Sequence, residues 1–320
     1  LFIGFKKEKF MKKRTFNLLL LAIVVIFGCT NLPMKNDPNF DPNVESPFYK
    51  KGRGPKILID GGHKNAFVDY DLIQPFIKVA RSDGYTVDIS KGIVTSDLLL
   101  NINIFVIITA NSFKWGKQAE ISENDEVFTS KEIEIIYNWV NQGGSLLVFS
   151  EHAPFDKAIN PLLQKFNINS SIGVIVDTVH YDKDYGFGSP KFSIENGLLN
   201  DSHQIVNGMR EGEKVDEIIT FGGSALKGES YINILKLSQH SLNVRHPFGG
   251  PSGYGDSQCL AGFVGKGRIV AFGDSNGFTA MQMQDGNGNT QAIGMNTVGY
   301  NWKQFVLNTL HWLSQTNQSL

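Results

Sequence analysis

From Lys56 onward, short runs of continuous apolar residues alternate with stretches in which apolar positions recur every three or four residues, the signature of buried parallel strands joined by amphipathic helices. Ile57-Leu58-Ile59 leads into Asp60-Gly61-Gly62-His63 and predicts a strand ending in a glycine turn. Leu72, Ile73, Phe76, Ile77 and Ala80 fall on one helical face, closed by Gly84. Tyr85–Ile89 and Ile104–Thr109 predict the second and third strands. Thr129-Ser130-Lys131-Glu132 forms a capping box for a helix carrying Ile133, Ile136, Tyr137 and Val140 on one face. Gly143-Gly144 ends that helix before a fourth strand at Ser145–Ser150. Strand, helix, strand, strand, helix, strand in this order predicts an α/β fold with a doubly wound, mostly parallel sheet.

The second half is less regular. Gly173–Val179, Glu217–Phe221 and Ile232–Leu237 read as strands, and Cys259–Val264 with Arg268–Phe272 as a β-hairpin about Gly265-Lys266-Gly267. Asn301–Leu313 predicts a terminal helix with Trp302, Phe305, Val306, Leu310 and Leu313 on its apolar side. A single α/β domain is expected over residues 56–316. Ahead of it, Pro33, Pro38, Pro42, Pro47 and Pro55 stand among Asn and Asp without apolar period, which predicts a flexible tether over residues 30–55.

At the N-terminal end, Lys12, Lys13 and Arg14 precede an apolar run from Leu18 to Phe27, closed by Gly28-Cys29. This is the layout of a secretory signal over residues 1–29, and the run is shorter than the roughly 20 residues that cross a bilayer. Ile26-Phe27-Gly28-Cys29 is similar to the lipobox of bacterial lipoproteins. That similarity implies lipidation of Cys29 and an extracytoplasmic domain held on the cell membrane or outer membrane by its lipid. Thr30 after Cys29 is not the aspartate associated with inner-membrane retention, so the outer membrane is the expected address.

The hydrophobic content of 41% is ordinary for a globular protein. Lys plus Arg number 30 against 31 Asp plus Glu, a net charge of −1, so no nucleic acid partner is expected. With Cys29 taken by the signal, Cys259 has no intramolecular partner. The fold must rest on packing, and cysteine-based zinc sites are excluded.

Ligands of open α/β sheets bind beyond the carboxyl ends of the strands. Three such ends carry polar groups here: Asp60 with His63 and Asn65, then Asn111, then Glu151 with His152. In the flavodoxin-like order 2-1-3-4, the first and fourth strands lie about 9 to 10 Å apart, so their side chains could meet over the third. Two chemistries stay open for Asp60, His63, Glu151 and His152. His63, His152 and Glu151 could ligate a divalent metal that activates water. Alternatively, carboxylate–histidine pairs could act as general bases without metal. The plainer reading is that both histidines brace their turns.

Residues 111–128 form a long connection on the same rim, and Phe113 with Trp115 gives it a surface that could stack on a sugar ring. Gly273-Asp274-Ser275-Asn276-Gly277 fits the G-x-S-x-G elbow, with Asp285 and His311 in triad order. That elbow needs a strand leading straight into a helix, and Phe278–Gly288 has no strong helical pattern. Cys259 has no basic neighbour in sequence to activate its thiol.

Taken together, ILIDGGHKN (57–65), WVNQGGSLLVFSEHAPF (139–155), GKGRIVAFGDSNGF (265–278) and NWKQFVLNTLHWL (301–313) resemble the DUF4350-type domain, an uncharacterised family related in fold to the class I glutamine amidotransferase-like superfamily. The resemblance implies a flavodoxin-like sandwich and makes GRIVAFGDSNGF a sheet strand with its following turn. Amidotransferases carry a cysteine at the turn after a central strand, where this chain has Ser150-Glu151-His152. Glutaminase chemistry is therefore not expected. Two functions remain: a hydrolase using Asp60, His63, Glu151 and His152 with or without a divalent metal, or a non-catalytic module binding carbohydrate or peptide at the cell envelope through Asn65, Asn111 and Trp115.

Overall fold

Ile104–Ile107 and Ser145–Phe149 contain no exposed residue, so both must be covered on both faces, and the rest of the chain is arranged to do so. The structure is a computed structural model that describes residues 34–112, 127–152, 155–245, 253–284 and 289–315. In chain order its elements are β1 (Met34–Asn36), β2 (Lys56–Ile59), α1 (Ala66–Asp69), α2 (Gln74–Ser82), β3 (Thr86–Ile89), β4 (Ile104–Ile107), α3 (Ser130–Asn141), β5 (Ser145–Phe149) and α4 (Phe155–Lys165). Then follow β6 (Asn169–Ser170), β7 (Val174–Asp177), β8 (Lys191–Ser193), α5 (Gln204–Asn207), β9 (Glu217–Ile219), β10 (Leu226–Lys227), β11 (Ile232–Lys236) and β12 (Ser241–Val244). The chain closes with β13 (Ser257–Val264), β14 (Gly267–Phe272), β15 (Ala280–Gln284), β16 (Thr290–Gly294) and α6 (Trp302–Ser314).

Among the described residues the main sheet runs β3-β2-β4-β5-β14-β13-β10-β6, with β11 also on β13. The first five strands pair in parallel. The others are antiparallel. The expected 2-1-3-4 order is present as β3-β2-β4-β5, and the expected hairpin is β13–β14, turning between Val264 and Gly267. This is a flavodoxin-like α/β sheet with antiparallel additions. Two of the strands expected in the second half lie off it: β7 pairs with β12, and β9 with β8.

Two cores flank the sheet. One lies under α2 and α6, where Phe272, Phe278, Trp302 and Phe305 meet edge to face. Gly277 is required there, because a Cβ would come within 2.1 Å of the Trp302 ring. The other lies under α3 and α4 and contains Ile136, Val140, Leu162 and Leu163. Cys259 is fully buried in the first core, and burial pushes its thiol well up, so it acts as a small hydrophobe.

The expectation of a flexible tether over residues 30–55 needs correction from Met34 onward. β1 pairs with β15, and Met34, Phe40, Val44 and Tyr49 pack on the core. Asp83 accepts from the Phe48 N–H at 2.6 Å and bonds His311 Nε2 at 2.7 Å, while its carbonyl accepts from the Tyr49 N–H. Phe48 stacks on His311 and lies under the Arg210 guanidinium. The prolines therefore shape an ordered strap. Its sequence gave no period because it is held by scattered anchors on several elements rather than by one face.

Replacing Asp83 with Ala strips buried donors on both sides of the strap junction. We expect a loss of about 3 kcal/mol in urea denaturation and faster proteolysis within residues 34–55. Unchanged stability would show that the strap is held by its apolar anchors alone.

Candidate functional site

The carboxyl ends of β2, β4, β5 and β14 bring the charged residues of the fold to one edge. After β2 the chain turns through Gly61-Gly62 into His63, and the imidazole lies between two carboxylates. Nδ1 is 2.9 Å from Asp60 Oδ1, and Nε2 is 3.0 Å from Glu132 Oε1. Asn65 donates to the Asp60 carbonyl and to Asp60 Oδ2, both at 2.7 Å, and Phe128 stacks on the imidazole with centroids 4.2 Å apart. Burial pulls the His63 pKa down, but hydrogen bonds and charge from Asp60 and Glu132 outweigh it and the net shift is upward.

Glu132 is the residue that sequence reasoning missed. Its capping box was legible, and Thr129 and Glu132 do exchange both capping bonds. Its second task, holding His63 and the Val94 N–H, joins segments far apart in sequence. For Glu132, desolvation is outweighed by hydrogen bonds from the Thr129 and Val94 N–H groups and from the Thr129 hydroxyl, and its pKa is lowered.

A second cluster sits on the β5–α4 turn. Glu151 is buried and has φ +54, the left-handed backbone of a sharp strand-to-helix elbow. Its Oε2 accepts from the Ser275 N–H at 2.6 Å and from the Ser275 hydroxyl. Oε1 accepts from the His152 N–H and lies 3.5 Å from His152 Nε2. Asp274, fully buried after β14, accepts from the Phe221 and Asn276 N–H groups. Burial and then the Glu151 charge push its carboxyl up to about 7. Asp156, on the first turn of α4, is pushed up to about 6 by burial, with His152 partly compensating. Ser275, which the sequence offered only as an elbow serine, is thus a clamp on the elbow carboxylate.

The structure brings together Asp60, His63 and Asn65, and separately Glu151 and His152. Asn111 joins the first group through its N–H to the His63 carbonyl at 2.8 Å. Among the described residues, its Nδ2 and the Oδ1 of Asn65 are buried without a hydrogen-bond partner. Cys29, Phe113 and Trp115 lie outside the described residues. A divalent metal shared by His63, His152 and Glu151 does not fit this arrangement, because both nitrogens of His63 are taken by Asp60 and Glu132. Among the described residues no three His, Cys, Asp or Glu side chains converge as a metal site. His311 bonds Asp83, so it does not serve Ser275 as a triad histidine.

No family model matches the chain, and no curated protein matches it. Solved structures do. The mmIFT52 N-terminal domain superposes with TM-score 0.54 at 16% identity, covering 83% of this chain and 100% of that one, which shows a shared fold. ThuA-like proteins are also similar: one from Bacteroides uniformis has TM-score 0.47 at 11% identity, over 87% of this chain and 98% of its own. Another, from Parabacteroides merdae, has TM-score 0.44 at 14% identity, over 83% and 92%.

The titrations give a signed expectation. His63 and Asp274 both have folded-state pKa values above their free values, so each contributes stability at low pH that is lost as pH rises through the folded pKa. His203, pushed down to about 4 by burial and the Arg268 charge, is neutral in the folded state here and opposes them only weakly, as its unfolded imidazole loses its remaining proton just above 6.5. The melting temperature should fall as pH is raised above 6.5. His63→Gln and Asp274→Asn should each flatten that slope; a slope unchanged in both would sink the assignment.

Proposed function

We propose that this protein is an exported, lipid-anchored binding module built on an amidotransferase-like fold, without hydrolytic activity of its own. The observation that carries this reading is the elbow after β5. The turn that presents a cysteine in amidotransferases holds Glu151, and its carboxylate is clamped by the N–H and hydroxyl of Ser275. A nucleophile needs a free lone pair aimed at substrate and a base beside it. Glu151 Oε2 is occupied, and His63 has no nitrogen left to accept a proton. The charged residues of the edge are held by one another and by backbone N–H groups, as a scaffold would require.

Anchoring through Cys29 supports a location as well as an activity. Because the strap is fixed from Met34, the link from Cys29 spans at most about 18 Å when fully extended. The domain would then ride close to the lipid surface, with the β1–β15–β16 sheet nearest to it. The DUF4350 resemblance fits the same picture of an envelope domain without an assigned reaction.

The mature chain should show no turnover in glutaminase, esterase and glycosidase screens, with or without added Zn²⁺, Mn²⁺ or Mg²⁺. Turnover abolished by Glu151→Gln or His152→Ala would overturn the binding reading in favour of a hydrolase. In bacteria fed labelled palmitate, label should enter the protein and be lost in Cys29→Ser. Retained label in that variant would place the lipid elsewhere.

A further inference from the structure

A cleft of about 230 Å³ opens between the β7–β12 pair and the chain entering β13, away from the buried charges of the edge. Its floor is apolar, made by Ile175, Ala225 and Leu237. Its walls are hydroxyls, amides and one carboxylate, from Ser238, Ser241, Gln239, Asn243 and Asp256, with no Lys or Arg among the lining residues. Over its mouth stands Tyr254, whose side chain is 91% exposed. Among the described residues nothing hydrogen-bonds the Tyr254 hydroxyl or the Asp256 carboxylate.

We propose that this cleft is a carbohydrate subsite that takes one neutral sugar ring, stacked on Tyr254 and hydrogen-bonded by Asp256 and Gln239. The proposal deepens the binding-module reading and rests on it. Three features select the ligand. The exposed Tyr254 ring beside the cleft offers a flat apolar face, and a pyranose presents a matching apolar face between its hydroxyls. A carboxylate in a lining that holds no Lys or Arg disfavours phosphate and other anions while accepting hydrogen bonds from adjacent hydroxyls. The volume is of the order of one sugar ring, and the open mouth leaves neighbouring rings in solvent.

The walls are built in advance. Asp177 accepts from the Ser238 and Ser241 hydroxyls and from the Val179 and His180 N–H groups, and these bonds hold its pKa below the usual value despite burial. Asn243 donates to the Ile172 and Gly253 carbonyls, fixing the strand next to the backbone that leads into Tyr254. Side chains already held in place lose little entropy when a ligand arrives. The cleft also connects to the elbow through backbone: the Ile175 N–H donates to the Gly223 carbonyl, and the Ser224 N–H to the Gly273 carbonyl.

Isothermal titration and saturation-transfer NMR with cellobiose, maltose and N,N′-diacetylchitobiose, on the mature chain, test the proposal. At least one disaccharide should bind, and Tyr254→Ala should weaken it on the order of tenfold, because an exposed ring can be removed without loss of fold. Asp256→Asn should weaken the same ligand, with unchanged melting temperature in both variants. No binding of any of the three, or binding undiminished by Tyr254→Ala, overturns the subsite. Binding lost in Asn111→Ala but kept in Tyr254→Ala moves the ligand to the β2–β4 end and leaves the module reading standing. Hydrolysis of a bound disaccharide would keep the cleft and overturn the non-catalytic reading instead. Selective binding of a lysine-rich peptide that competes with no sugar would replace the carbohydrate by a cationic chain and count against the proposal.

Discussion

Glu132 is the group on which the carboxyl edge depends. Its two buried oxygens accept from His63 Nε2, the Val94 N–H, the Thr129 N–H and the Thr129 hydroxyl, so one carboxylate ties the turn after β2, the loop after β3 and the start of α3. With both ring nitrogens facing carboxylate oxygens, His63 satisfies its partners only as an imidazolium donating twice. The resulting acid–imidazolium–acid chain carries excess negative charge, and the N-terminal end of α3 offsets part of it. Such a buried set is weak evidence for net stability, yet removing one member leaves an uncompensated charge costing about 3 to 5 kcal/mol. Its larger effect is specificity: it permits one placement of α3 against the sheet.

Backbone strain collects at the same edge. Thr109, after β4, and Glu151, after β5, have φ of +52 and +54, a region that costs a non-glycine residue roughly 1 to 2 kcal/mol and a β-branched one more. Each is held by side-chain bonds: Thr109 Oγ1 accepts from the Phe67 N–H, and Glu151 is clamped by Ser275. At Glu151 the strained geometry of an elbow persists although the group it displays is turned inward. The clamp by the Ser275 N–H and hydroxyl offsets the strain.

The parallel half of the fold was legible because buried parallel strands write continuous apolar runs and amphipathic helices write a 3.6 period. Ile104–Ile107 and the helix beginning at Ser130 are clear cases. The antiparallel additions were less so: β6 and β10 are two residues each, too short to show a period. At the site, Asp60 and His63 were readable as neighbours three residues apart. The pairing of His63 with Glu132 spans 69 positions and that of Glu151 with Ser275 spans 124. Nothing local marks such pairs. The strap escaped for a related reason, since the Phe48 N–H finds Asp83 across 35 positions.

In an open α/β sheet the switch point is where strand connections diverge to either side, and here it lies between β2 and β4. A ligand entering there would meet His63, stacked by Phe128 and bonded on both sides, and the floor of the crevice is therefore protein rather than space. Among the described residues, His63 and its partners fill the floor of this crevice and brace the edge. The antiparallel additions beyond β14 compensate, because β7 and β12 form a separate two-stranded pair whose side leaves a cleft open beside Tyr254. The proposed cleft thus lies on the strands added around the parallel core rather than at its carboxyl edge. The charged network at the carboxyl edge braces the turn after β2, the loop after β3 and the start of α3.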